Sequence, residues 1–242
     1  MRKQTRILFF SLLTLAPMIL LLNQNYGRAL MLFVLLVMGA LIFEKREASR
    51  QFFRALRKLL VCVDYDAFCF EGEKIHANAM LPWIAQQHHQ LFQLISHHHI
   101  SASKDHKSVS EHHKNAPDMG KHAFNTQEKA LQFWAASYMA LIEETRFNEQ
   151  SLKDLDELYR QLPRYMKALA AERYRTFKLD VIDPTDRTQM DEAQRIRESL
   201  EAQLLLAEAT YWLGCHTEDP KRAVSYKKTA ENLSKGLSIR RI

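Results

Sequence analysis

Ile7–Leu22 (ILFFSLLTLAPMILLL) and Ala29–Phe43 (ALMLFVLLVMGALIF) are the two apolar runs of this chain, separated only by Asn23–Arg28 (NQNYGR). Two such runs in close succession predict a helical hairpin in a bilayer, ahead of a polar domain of about 200 residues. The runs are 16 and 15 residues long, shorter than the roughly 20 that a perpendicular span needs. Flanking residues lengthen them: Arg6 and Arg28 can snorkel, and Asn23, Gln24 and Tyr26 suit an interface. A re-entrant or interfacial hairpin is the alternative. A cleaved leader is not expected, because a second apolar run follows the first and no small-x-small site lies between them. Pro17 predicts a kink in the first helix.

The charge distribution supports this reading. The formal net charge is +6, but residues 1–60 carry ten Lys/Arg against Glu44 and Glu47, whereas the remainder carries 24 basic and 26 acidic side chains. The polar domain is thus nearly neutral, and no nucleic-acid-binding face is expected. Three basic residues precede the first run and six follow the second, while the connecting loop holds only Arg28. That bias places both termini in the cytoplasm, and in a bacterium the membrane would be the inner one. Three cysteines, Cys62, Cys69 and Cys215, give no disulfide framework and agree with a reducing compartment.

The chain divides into a transmembrane hairpin (1–43), a basic juxtamembrane amphipathic helix (44–63), a turn and helix (64–99), a His-rich flexible loop (100–124) and a helical bundle domain (125–242). In 44–63, Phe52, Leu56, Leu59 and Val63 recur at helical spacing, and Arg46, Arg50, Arg54, Arg57 and Lys58 fill the other side. This segment either continues the second span or lies on the membrane surface, where each basic residue near anionic lipid contributes about 1 kcal/mol. Asp64–Glu73 reads as a turn and 74–99 as a helix, with Pro82 near its true start and Trp83, Gln87, Leu91, Leu94 and Ile95 on one buried side. Cys62 and Cys69 read as packing residues. Residues 100–124 lack periodicity and read as a loop.

Asn125 and Glu128 form a capping box for a helix reaching about Phe147, and Ser151 opens the next. Leu152, Leu155, Tyr159, Leu162, Met166 and Leu169 then follow heptad spacing, broken at Pro163. This seam suits antiparallel packing inside one bundle, or else a coiled coil between chains. Asp180–Arg187 reads as a turn, and a long helix is expected over 188–213, closed by Gly214. Pro220 opens the final helix and Gly236 closes it. With no strand alternation in the polar domain, the fold class is all-α: a two-helix membrane hairpin followed by a helical bundle or helical-repeat-like domain.

Residues 203–233 carry Leu206, Ala207 and Gly214, then Ala223, Tyr226 and Ala230. This arrangement resembles one tetratricopeptide-type helix pair, although no second copy is visible at the repeat's period. The resemblance implies stacked helices that bind a peptide or protein partner. Any antiparallel helical hairpin needs small residues at its crossings in the same way. Tyr159, Tyr211, Trp212 and Tyr226 are the candidate partner-binding side chains.

Nine of the eleven histidines lie within 88–122. Neutral imidazole ligates Zn, Ni or Cu, which makes His88, His97, His99, His112 and His113 the metal candidates. No HxxxH or HExxH spacing is present, and a structural site needs about four fixed ligands. Asp64, Asp66, Cys69, Glu71, Glu73 and His76 gather within Cys62–His76, with Glu73-x-x-His76 half of a di-iron pattern whose second half is absent. Neither a Walker A sequence nor GxGxxG occurs, and Ser101-x-x-Lys104 sits in a polar loop unsuited to a serine acylase. The expectation is a non-enzymatic, cofactor-free scaffold or adaptor, an accessory subunit of a membrane complex that touches the lipid bilayer and a protein partner or a second copy of itself. The alternative is a metal-handling or pH-responsive membrane protein acting through residues 88–122.

Overall fold

A computed structural model describes residues 3–23, 25–102, 128–142, 146–237 and 239. Among these the protein is all-α, with ten α-helices and no strand. Helix α1 (Lys3–Leu22) packs along the first part of α2 (Tyr26–Cys62). Phe10 meets Phe43 edge to face at 6.2 Å, and Pro17 and Ala29 are buried. At about 1.5 Å per residue, the 37 residues of α2 make a rod of roughly 55 Å.

The surroundings of α2 change abruptly along its length. Of the 23 large apolar side chains exposed among the described residues, 18 lie between Ile7 and Phe43. From Glu44 onward the pattern inverts: Ala48, Phe52, Ala55, Leu56, Leu59 and Leu60 are buried, while Arg46, Arg50, Arg54, Arg57 and Lys58 are exposed. No break separates the apolar and amphipathic parts, so the basic segment continues the apolar helix rather than forming an element of its own. Helix α2 ends at Val63, whose left-handed conformation (φ 50°) donates its N–H to Lys58 O. A β-branched residue is disfavoured there, and Val63 is buried against the core.

The chain then reverses into α3 (Tyr65–Ala77). The turn expected at 64–73 is instead this helix: Asp64 caps it by accepting the Ala67 N–H at 2.9 Å, and Phe68, Gly72 and Ile75 form its buried side. The helix expected over 74–99 accordingly splits, and α4 (Pro82–Ala102) starts at Pro82. Helices α2, α3 and α4 pack mutually. Contacts between Glu44 and Met80, Ser49 and His88, and Tyr65 and Ser96 set α4 running in the same direction as α2.

Helix α5 (Lys129–Ile142) ends before Phe147. Helix α6 (Glu149–Arg160) begins two residues ahead of Ser151, capped by Asn148. Pro163 separates it from α7 (Arg164–Lys178) as expected, and Leu152, Leu155, Leu162, Met166 and Leu169 are buried within the chain. A short 3-10 turn, Leu179–Val181, precedes α8 (Arg187–Glu198). The single helix expected over 188–213 is two, because α9 (Gln203–His216) restarts after a break at 199–202. The cause is tertiary: Glu172 of α7 accepts the N–H groups of Glu201 at 2.8 Å and Ala202 at 2.7 Å. Gly214 lies inside α9 rather than ending it, and a Cβ there would stand 3.0 Å from Tyr226 Cβ. Helix α10 (Pro220–Ser234) folds back on α9, with Gln203 Nε2 donating to Leu233 O at 2.9 Å. Lys235 and Gly236 close it with positive φ.

Candidate functional site

Where α2 leaves its exposed apolar part, polar side chains gather into a buried cluster. Glu44, 3% exposed, accepts the Met80 N–H at 3.0 Å through Oε2. One turn further, the Ser49 hydroxyl donates to Glu128 Oε1 and lies 2.9 Å from His88 Nε2. His88 Nε2 is 3.4 Å from the same carboxylate oxygen, and Lys45 Nζ is 3.7 Å from Oε2. Burial pushes the Glu128 carboxyl up, but hydrogen bonds from His88 and Ser49 and the charges of His88 and Lys45 outweigh it and hold the group below the usual carboxylate range.

Serine, histidine and glutamate side by side invite comparison with a hydrolytic triad, but the connectivity differs. A triad needs the carboxylate on the imidazole nitrogen that faces away from the serine. Here both Ser49 and Glu128 address Nε2, and Nδ1 has no partner among the described residues. The serine proton goes to the carboxylate, leaving Ser49 Oγ to accept from Nε2–H. This cluster ties α2, α4 and the start of α5 together; it does not present a nucleophile.

A second polar group lies in the domain core. Arg173 (0% exposed) pairs through Nη1 with Glu208 (5% exposed). Its guanidinium carbon stands 4.9 Å from the Phe177 ring centre and 5.5 Å from that of Tyr138. Burial pushes the Tyr138 phenol far above its ordinary value.

Three of the five metal candidates lie among the described residues, in different surroundings. His88 belongs to the Glu128 cluster, His97 is exposed, and His99 is buried with its ring edge-on to Tyr138 at 6.4 Å. His112 and His113, with the rest of 103–127, lie outside the described residues, as does Asn125 of the expected capping box. Among the described residues no group of three or more His, Cys, Asp or Glu is placed to hold a metal ion. The same holds for the residues gathered at 62–76. Asp64 is a helix cap, Cys62 is exposed at the end of α2, and half-buried Cys69 lies 3.8 Å from Ser96 Oγ, its thiol pushed up by burial. His76 and His89 face each other with ring centres 5.4 Å apart.

The aromatic candidates each pack against neighbours within the chain, and Tyr159, Tyr211 and Tyr226 are half-buried. Trp212 is buried with its ring stacked on His216 at 4.2 Å. Tyr159 stacks on Tyr174, Tyr211 packs against the core, and Tyr226 lies beneath Arg197 with its hydroxyl 3.4 Å from Gln194 Oε1. By contrast Trp83, expected on the buried side of α4, is 64% exposed. Sequence reasoning missed Ser49, Glu44 and the Arg173–Glu208 pair. A lone serine or acid at core spacing was the available signal, and tertiary packing alone pairs it.

By length and composition, α2 is the one helix among the described residues able to cross a membrane: its apolar window has a mean hydropathy of 2.1 and is 6% buried. Helix α1 contributes a shorter apolar stretch, Phe10–Leu22. No protein family, curated protein or solved structure matches the chain.

Proposed function

We propose that this protein is a membrane-anchored helical scaffold or adaptor, an accessory subunit of a membrane protein complex. In this reading α1 and the apolar part of α2 form a hairpin in the bilayer, both termini are cytoplasmic, and the helices beyond Glu44 hold a protein partner. The observation that carries it is the inversion of burial at Glu44 within one uninterrupted helix. Exposed apolar surface on this scale is costly in water and favourable in lipid. An apolar crevice of about 520 Å³ between α1 and α2, lined by Thr14, Pro17, Met18, Leu21, Leu30 and Phe33, suits the same surroundings. Exposed Arg46 and Arg50 follow at the cytoplasmic boundary. The likeness of 203–233 to a partner-binding helix pair, together with the tight α9–α10 packing, supports the adaptor role.

Cysteine labelling in intact cells tests the topology. With Cys62, Cys69 and Cys215 replaced by serine, Asn25→Cys reacts with a membrane-impermeant maleimide added outside. Native Cys62 and Cys215, both exposed on the domain, react only after permeabilisation. Labelling of Cys62 from outside, or extraction of the protein by alkaline carbonate, overturns the spanning anchor. Crosslinking and co-purification from the native membrane tests the adaptor role, which fails if the full chain recovers neither a partner nor a second copy.

A further inference from the structure

We propose that the corner between α3 and α4, residues 78–84, is a second membrane contact, with the Trp83 indole seated in the headgroup region of the bilayer that receives α2. The inference rests on the anchored reading above and adds to it a surface and its partner, a phospholipid interface. The corner's height is set by the hydrogen bond from Met80 N–H to Glu44 Oε2, at 3.0 Å. Glu44 is the residue at which α2 passes from exposed apolar to buried amphipathic surroundings. Eight residues after Met80, His88 meets Ser49. Interpolating along α2 puts Trp83 level with about residue 46, or some 3 Å beyond Glu44 at about 1.5 Å per residue. The headgroup layer on each side of a bilayer is about 5–7 Å deep, so Trp83 falls inside it.

The side chain has the right direction and chemistry. Trp83 is the second residue of α4, and helix Cα–Cβ bonds tilt toward the N-terminus. Because α4 runs in the direction that leads α2 away from Glu44, that tilt aims the indole back toward the apolar end of α2. The ring is 64% exposed, and exposed Pro82 precedes it. An indole with an apolar body and one N–H donor partitions to the membrane–water interface. Exposed Arg46 on α2 lies at the height interpolated for Trp83 and supplies positive charge that anionic headgroups attract. A second contact away from the α2 axis would stop the domain from turning about that axis.

Tryptophan fluorescence of the full chain in phosphatidylcholine–phosphatidylglycerol vesicles tests this directly. The chain holds three tryptophans, and Trp134 and Trp212 are buried at 0% and 7% exposure, leaving Trp83 as the accessible one. Phospholipids brominated near the headgroup end should quench the wild type more than those brominated near the chain end. Trp83→Phe, at an exposed site that the fold tolerates, should abolish that difference, and aqueous iodide should quench little. Flotation of the same samples separates the two readings. Protein that floats with the vesicles but shows bromolipid quenching unchanged by W83F, or ready iodide quenching that W83F removes, overturns the second contact and leaves the anchor standing. Protein that does not float overturns the anchor and this contact with it.

Discussion

Arg173 has a guanidinium sealed in the core with one carboxylate beside it. Glu208 accepts from Nη1, whereas Nε and Nη2 have no hydrogen-bond partner among the described residues. Aromatic faces of Phe177 and Tyr138 cover the rest. Removing the carboxylate leaves an uncompensated buried charge, which typically costs about 3–5 kcal/mol. Glu208→Ala should therefore lower the melting temperature of the full chain in detergent sharply, while replacing both partners by apolar residues (Arg173→Met with Glu208→Leu) should restore most of the loss. A fall in E208A no larger than that of a surface substitution, about 0.5 kcal/mol, would show that the pair carries no stability. Glu128 makes a prediction of the opposite kind, in pH. Its folded carboxyl titrates below the ordinary value of 4.5, so its contribution is present above that value and is lost as pH falls through the folded one. Glu128→Gln should flatten the stability–pH curve on the acid side of 4.5, as read by thermal unfolding across a pH series; an unchanged curve would remove Glu128 as its cause. In the sequence neither Arg173 nor Glu208 stood out, since Arg173 sits among charged neighbours and Glu208 in an apolar run.

Helix boundaries show which signals are local and which are not. Pro163 ended α6 where its missing N–H and fixed φ require, and Pro220 opened α10. The break between α8 and α9 had no such mark, because Leu200–Ala202 contains neither Pro nor Gly and apolar spacing runs through it. A carboxylate from another helix, Glu172, takes the two N–H groups that begin α9, and no local pattern reports a cap supplied from about thirty residues away. Helix α3 errs in the other direction. Its acidic residues and Gly72 resemble a turn, yet Gly72 is there for packing. A Cβ on Gly72 would lie 1.9 Å from Phe92 Cε2, and that ring is fixed between Phe68 at 4.9 Å and His89 at 5.9 Å. Gly72→Ala should thus destabilise the domain despite a helix-propensity gain of about 1 kcal/mol, since overpacking costs about 1–3 kcal/mol and the overlap is deep. Shortening the opposing side chain in G72A/F92L should recover stability in the same unfolding assay. If G72A alone stabilises, the α3–α4 contact is looser than this packing.

For the whole molecule the consequence lies in the continuity of α2. The sequence located both apolar runs and the basic stripe, but it left two arrangements for 44–63, a continuation of the span or a separate helix on the membrane surface. Amphipathic periodicity is the same in both. What separates them is the absence of any break between Tyr26 and Cys62, together with a buried face that is occupied by α3, α4 and α9. That face packs protein, so it cannot also lie on lipid, and the exposed basic stripe climbs away from Glu44 along the rod. Arg57 stands thirteen residues beyond Glu44, about 20 Å at 1.5 Å per residue, past the roughly 8–10 Å over which salt screens charge. In the anchored reading proposed above, exposed Arg46 and, more weakly, Arg50 would then be the basic residues nearest the headgroups, Lys45 being shared with Glu128. A rigid rod also predicts a distance. Spin labels at Tyr26→Cys and native Cys62, with Cys69 and Cys215 replaced, should give a narrow distribution centred near 54 Å (~36 steps of 1.5 Å) in lipid nanodiscs. A broad or much shorter distribution would place a hinge at the membrane boundary, and the domain would hang on a tether instead of standing at a set angle to the bilayer. With the narrow distribution, the helices beyond Glu44 stand at one distance from the apolar end of α2, and rotation about that axis is left to be fixed by a second contact such as the one proposed at Trp83.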